Sequence, residues 1–135
     1  MLNAIGAVWL MGTVSRLRAR LMRHAPTSHL EIPEAWGWYY PEAPAAQSLH
    51  AELQRELPPG HLLFGHAVET VAFRQDQDDV LFRHLDQPDR FTVIHLTWIR
   101  KREIDAKHPS VCFDGSFGQF VAEEQKKYEL ERTDG

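Results

Sequence analysis

Cysteine is almost missing from this chain: Cys112 is the single one in 135 residues. One thiol excludes an intramolecular disulfide and a zinc centre built on cysteines. It points to a reducing, cytoplasmic setting, with Cys112 read as a small buried hydrophobe. No apolar run approaches the ~20 residues that a membrane-spanning helix requires. A basic excess is lacking too. The formal net charge is −4 and the pI about 6.0, so no global positive field draws in nucleic acid. There is no G-x-S-x-G elbow, no phosphate-binding glycine loop and no H-E-x-x-H pair. These gaps remove the commonest signatures of hydrolases, nucleotide-binding proteins and zinc proteases.

What is present fits one α+β domain, with 43% hydrophobic and 25% charged residues. Charge is uneven, however. Residues 1–24 hold Arg16, Arg18, Arg20 and Arg23 and no acid, while the remainder holds 11 basic and 19 acidic residues. Leu10, Val14, Leu17 and Leu21 recur at helical spacing, which predicts an amphipathic N-terminal helix over residues 1–24. Three readings stay open for it: a helix docked on the domain, an interfacial helix that touches a membrane surface, and a mitochondrial-type presequence. The arginines follow the apolar stretch instead of preceding it, which argues against a secretory signal.

Residues 25–44 form a proline-rich connecting segment whose aromatic run is Trp36-Gly37-Trp38-Tyr39-Tyr40. Such a run either offers a stacking platform or pins an irregular segment to the core; no basic residue interleaves it, which favours pinning. The rest, residues 45–135, reads as the α+β domain proper. Ala46, Leu49, Leu53 and Leu57 predict a helix from Pro44 to Leu57, ended by Pro58-Pro59-Gly60. The period then changes to two over Val68–Arg74, Asp79–Leu85 and Arg90–Trp98. Short polar links make these runs a three-stranded antiparallel meander. Closing each link symmetrically sets Phe73 opposite Val80, Val71 opposite Phe82, Phe82 opposite Val93, Val80 opposite His95, and Glu69 opposite His84. Val71, Phe73, Val80, Phe82, Phe91 and Val93 then share one sheet face. Ala72, Leu81, Ile94, Leu96 and Trp98 share the other. Ser116 and Gln119 have the spacing of a capping box, and Phe117, Phe120, Val121 and Tyr128 mark the buried stripe of a last helix. The predicted order is α-β-β-β-α behind the N-terminal helix.

At Gly60-His61-Leu62-Leu63-Phe64-Gly65 and His95-Leu96-Thr97-Trp98 the chain resembles a group of small, uncharacterised bacterial proteins. That group has a G-H-x-L-x-G segment after a helix and an H-L-T-W strand end. Glu103, Pro109, Ser116, Phe117 and Phe120 occupy its remaining positions. The resemblance covers roughly residues 46–122 and implies the fold and a bacterial origin, with no activity. The chain departs from the group after Trp98, where a glycine is expected near Ile99–Arg100 and an aromatic where His108 stands.

Candidate chemistry is sparse. The eight histidines lack ligand spacing, so no metal and no cofactor is expected. Catalytic candidates are His95 and the cross-strand pair Glu69–His84, which has the residue types for general acid–base work. His95, ringed by Val80, Phe91 and Val93 in this register, is expected to be buried. Binding candidates are the aromatics Trp36, Trp38, Tyr39, Tyr40 and Trp98, with Arg100 and Arg102 in a basic loop suited to a phosphate or carboxylate. The leading expectation is a non-enzymatic protein-interaction module of the adaptor, inhibitor or immunity type. The alternative is a small enzyme or ligand-binding domain using His95 or Glu69 and His84. Oligomeric state is not legible.

Overall fold

Leucine at helical spacing followed by β-branched and aromatic residues at period two should give a helix and then a sheet, and the computed structural model has both. It describes residues 30–74 and 78–134, nearly all within one compact unit, Ile32–Gly135. The amphipathic helix read over residues 1–24 lies outside the described residues.

Five strands form one antiparallel meander in the order β1-β2-β3-β4-β5. They are β1 (Trp38–Tyr39), β2 (Val68–Arg74), β3 (Asp79–His84), β4 (Phe91–His95) and β5 (Ser110–Gly115). Helix α1 (Ala43–Glu56) lies between β1 and β2, and α2 (Phe117–Asp134) ends the unit. The α+β class and the antiparallel sheet agree with the sequence reading. The strand number does not. The aromatic run supplies an edge strand, β1, because Trp38 and Tyr39 pair with Arg74 and Phe73. The stretch before α2 supplies the other edge, β5, whose alternation is weak because most of it faces solvent.

Register is the larger correction. Phe73 does face Val80. A bulge at Val71 then sets Thr70, not Val71, opposite Phe82, and Glu69 opposite Arg83, with His84 opposite Val68. Between β3 and β4, Phe82 faces Thr92 and Val80 faces Ile94, one residue away from the symmetric closure. The reason lies in the link. Arg90 N–H donates to the Gln87 carbonyl and His84 N–H to the Arg90 carbonyl, so the connection takes five residues, 85–89, instead of four. A one-residue slip exchanges every facing. Ile94 and Leu96 therefore join Phe82, and Val93 moves to the opposite side.

The α1 face gathers Leu53, Leu57, Leu63, Val68, Val80, Phe82, Ile94 and Leu96 into one buried cluster. Burying a leucine as fully as Leu53 contributes about 2 kcal/mol. The α2 face is aromatic instead. Trp38 stacks edge-on against Phe120 at 5.4 Å, and Phe91 and Phe113 meet Phe117 and Phe120. The capping box forms as read, with Gln119 N–H donating to Ser116 Oγ and Ser116 N–H to Gln119 Oε1. Cys112 is exposed on edge strand β5 and not buried, which corrects the sequence reading.

Candidate functional site

The C-terminal end of α1 meets two loops, and two buried acids lie at the junction. Glu52 and Glu56 are spaced i, i+4, so both point to the same side of α1, and both are completely buried. Glu56 Oε1 accepts from Thr97 N–H at 3.1 Å and its Oε2 from Trp98 N–H at 2.7 Å. Glu52 Oε2 accepts from Arg100 N–H at 3.0 Å, and its Oε1 takes both Nε and a terminal nitrogen of Arg55. Three amides of one irregular segment thus end on two carboxyl groups of one helix.

Those amides converge because the chain is bent there. Trp98 and Arg100 take left-handed backbone angles, φ 58° and 64°, which a side chain disfavours by about 1–2 kcal/mol each. An amide hydrogen bond contributes about 0.5–1.5 kcal/mol, and about 1.5–3 kcal/mol where the acceptor is charged. Three of them, the Arg100 amide's to the lowered Glu52 carboxylate among them, offset the strain. Further ties flank the clamp: Glu103 N–H donates to the Glu56 carbonyl, and Thr97 Oγ1 to Glu103 Oε2 at 2.7 Å.

The second loop follows α1. His61 takes Leu63 N–H on Nδ1 and so donates from Nε2 to the Pro109 carbonyl at 2.6 Å. Arg102 donates to the Leu57 carbonyl, and its guanidinium lies over the Phe64 ring. The 60–65 and 97–109 segments therefore sit side by side. Leu62, Phe64, Trp98, Ile99 and Ile104 are exposed on them, Ile104 to 99%.

Electrostatics at the clamp follow from its crowding. Burial and the hydrogen bond shared with Glu52 push Glu56 up to about 7, against the pull of the Thr97 and Trp98 amides. Burial also raises Glu52, but hydrogen bonds from Glu56, the Arg100 amide and Arg55 outweigh it and hold that carboxyl below its ordinary value. Below about neutral pH the pair holds one proton, carried by Glu56.

The other candidates scatter. Trp36 and Trp38 are buried, so they pin the segment; Trp38 Nε1 donates to Glu124 Oε1 at 2.9 Å. Tyr39 and Tyr40 are half exposed, with the Tyr40 hydroxyl accepting Ile32 N–H. Trp98, Arg100 and Arg102 come together on the clamped loop. The Glu69–His84 pair does not form: Glu69 binds Arg83 Nε at 2.7 Å, on the α2 face. His84 is buried on the other face, where its Nε2 meets Thr92 Oγ1 and Thr92 Oγ1 donates to Asp114. His95 is not buried. Its side chain is 47% exposed, and Nδ1 lies 2.8 Å from Asp79 Oδ1, because the slipped register sets it opposite Asp79 and not Val80.

Periodicity marks α1 by its leucines, so Glu52 and Glu56 do not stand out in the sequence. The signal was there: they fall three and seven residues after Leu49, on the inward stripe of α1, where an acid needs a partner. Among the described residues no cluster of three or more His, Cys, Asp or Glu is arranged to hold a metal ion. Nor is any described helix long and apolar enough to cross a membrane. Comparison with family models, with curated proteins and with solved structures finds no match.

Proposed function

We propose that this chain is a protein-interaction module whose contact surface is the loop face at the end of α1. The observation that carries the reading is the clamp: two buried carboxyl groups hold a strained loop with Trp98 and Ile99 partly exposed on it. Large apolar side chains grouped on a strained, clamped segment are a feature that binding surfaces have. Preorganised aromatic and aliphatic side chains are what a binding site needs, since ordering costs are then met before the partner arrives. A non-enzymatic role of the adaptor, inhibitor or immunity type, in a bacterial cytoplasm, fits this surface and the resemblance described above.

The alternative, a small enzyme built on His95, draws on the His95–Asp79 hydrogen bond. A carboxylate on Nδ1 leaves Nε2 free to exchange protons. The loop face is preferred because several independent bonds maintain it, whereas His95 has one.

A photo-crosslinking residue at position 99, in the cells that make the protein, tests the proposal. The expected result is a discrete protein adduct that is lost in a Trp98→Ala background and absent when the probe stands at Lys126 on α2. Equal labelling at both positions, or none at 99, contradicts it.

A further inference from the structure

Resting on the interaction reading above, we propose that the loop face recognises an acidic segment of a partner protein, one bearing a large apolar side chain among aspartates and glutamates. Charge pairing is the first argument. Arg55, Arg74, Arg83 and Arg90 each meet a carboxylate: Glu52, Glu124, Glu69 and Asp114. Arg100, Lys101, Arg102 and Lys107 are all exposed, and no ion pair among the described residues engages them.

The two acids in this loop are held by neighbouring groups and offset the cations only in part. Glu103 accepts from the Thr97 hydroxyl, and Asp105 accepts from Lys107 N–H and faces His108 Nδ1. Four cations against two acids thus leave a net positive loop over residues 100–107, on a stretch, residues 25–135, whose formal net charge is −8. Such local inversion of sign steers a partner of complementary charge.

The second argument is the interleaving of apolar groups with those cations. Trp98 and Ile99 directly precede Arg100, and Phe64 lies under the Arg102 guanidinium. A partner residue that inserts beside Phe64 or Ile99 brings flanking carboxylates within reach of Arg100 and Arg102. Arginine is the residue suited to this, because its planar fork grips a carboxylate through two donors. Glu103 and Asp105 break the positive field into separate spots, which matches spaced carboxylates better than a continuous anionic sheet such as a lipid surface.

The test selects a random displayed peptide library on the full chain and on an Arg100→Glu/Lys101→Glu variant. The wild type is expected to enrich peptides combining Asp or Glu with an aromatic or a leucine. The variant should lose those peptides and enrich lysine and arginine. A recovered acidic peptide should bind the variant about tenfold more weakly or worse at low salt. Lys101→Glu/Lys107→Glu leaves position 100 beside Glu52 untouched and should show the same exchange if the first variant does not fold. Enrichment that depends on Trp98 without any preference for acids overturns the acidic partner and leaves the interaction face standing. Selection that ignores Trp98 overturns both. Binding to phosphatidylserine vesicles as tight as to the best peptide overturns the proposal in favour of a membrane surface.

Discussion

On the α1 side of the sheet, Glu52 and Glu56 meet backbone amides and a single arginine; on the α2 side, Glu69 and Glu124 meet the guanidinium groups of Arg83 and Arg74. Both regions bury acids. Their means of compensation differ, and so do the consequences. A carboxylate facing a guanidinium has a partner of permanent charge, since arginine does not release its proton. Two carboxylates facing amides in the dry interior resist holding two charges, so one proton is retained up to about neutral pH. The amide-bound pair therefore fixes a loop, whereas the guanidinium-bound acids fix side chains between strands and helix. The α1 site is the part of the molecule where charge shapes the backbone.

Removing each device separates the two. Glu56→Ala leaves the Thr97 and Trp98 amides without an acceptor and opens a void, and should lower stability by about 3–4 kcal/mol. Arg83→Ala strips a partly buried pair from Glu69, which keeps some solvent, so the loss should be about 2 kcal/mol. Chemical unfolding at pH 7.5 measures both. A larger loss at Arg83 would reverse the comparison.

Glu56→Gln sharpens it through pH. The Glu56 carboxyl titrates near 7 in the folded chain and near the ordinary carboxylic value when unfolded. Between those values the folded state holds a proton that the unfolded state lacks, so raising pH through the window weakens the fold. Burial lowers His50 and His84, and those groups act oppositely, strengthening the fold as pH rises toward 6.5. The difference between wild type and Glu56→Gln isolates the acid, because glutamine mimics the protonated form. Wild type should lose about 1–3 kcal/mol relative to the variant from pH 5 to 7.5. Parallel profiles would mean that the pair shares no proton.

The smallest effect concerns strain. Arg100→Gly relieves a left-handed residue and should stabilise the chain by up to about 1 kcal/mol while weakening capture of any partner. Calorimetry beside a binding assay checks both signs. A lower melting temperature would show that Arg100 contributes more than its backbone bond.

How far the sequence told this story depends on which interaction carries each element. Helix α1, helix α2 and the capping box follow from periodicity and local chemistry, which are written within a few residues. Strands β1 and β5 were hidden because one is two residues long and the other faces solvent, so neither shows alternation. The register slip came from a five-residue hairpin link and a bulge at Val71, both set by backbone hydrogen bonds that composition does not encode. That slip moved His95 out to solvent and separated Glu69 from His84. Trp98, Arg100 and Arg102 were legible as neighbours in sequence. The acids beneath them were not, because contacts across 41 to 48 residues join them to the loop.

Residue-resolved amide hydrogen exchange at Thr97, Trp98 and Arg100 tests the clamp most directly. All three amides belong to an irregular segment with exposed side chains on either side of Ile99, where free exchange is the ordinary outcome. The carboxyl clamp requires them to be protected by about a hundredfold or more in the wild type, comparable to local opening of 2.7 kcal/mol by the usual conversion. In Glu56→Ala the protection of Thr97 and Trp98 should collapse while the amides of Phe82 and Ile94 stay protected. Wild-type amides exchanging freely, or protection that survives in Glu56→Ala, would contradict it.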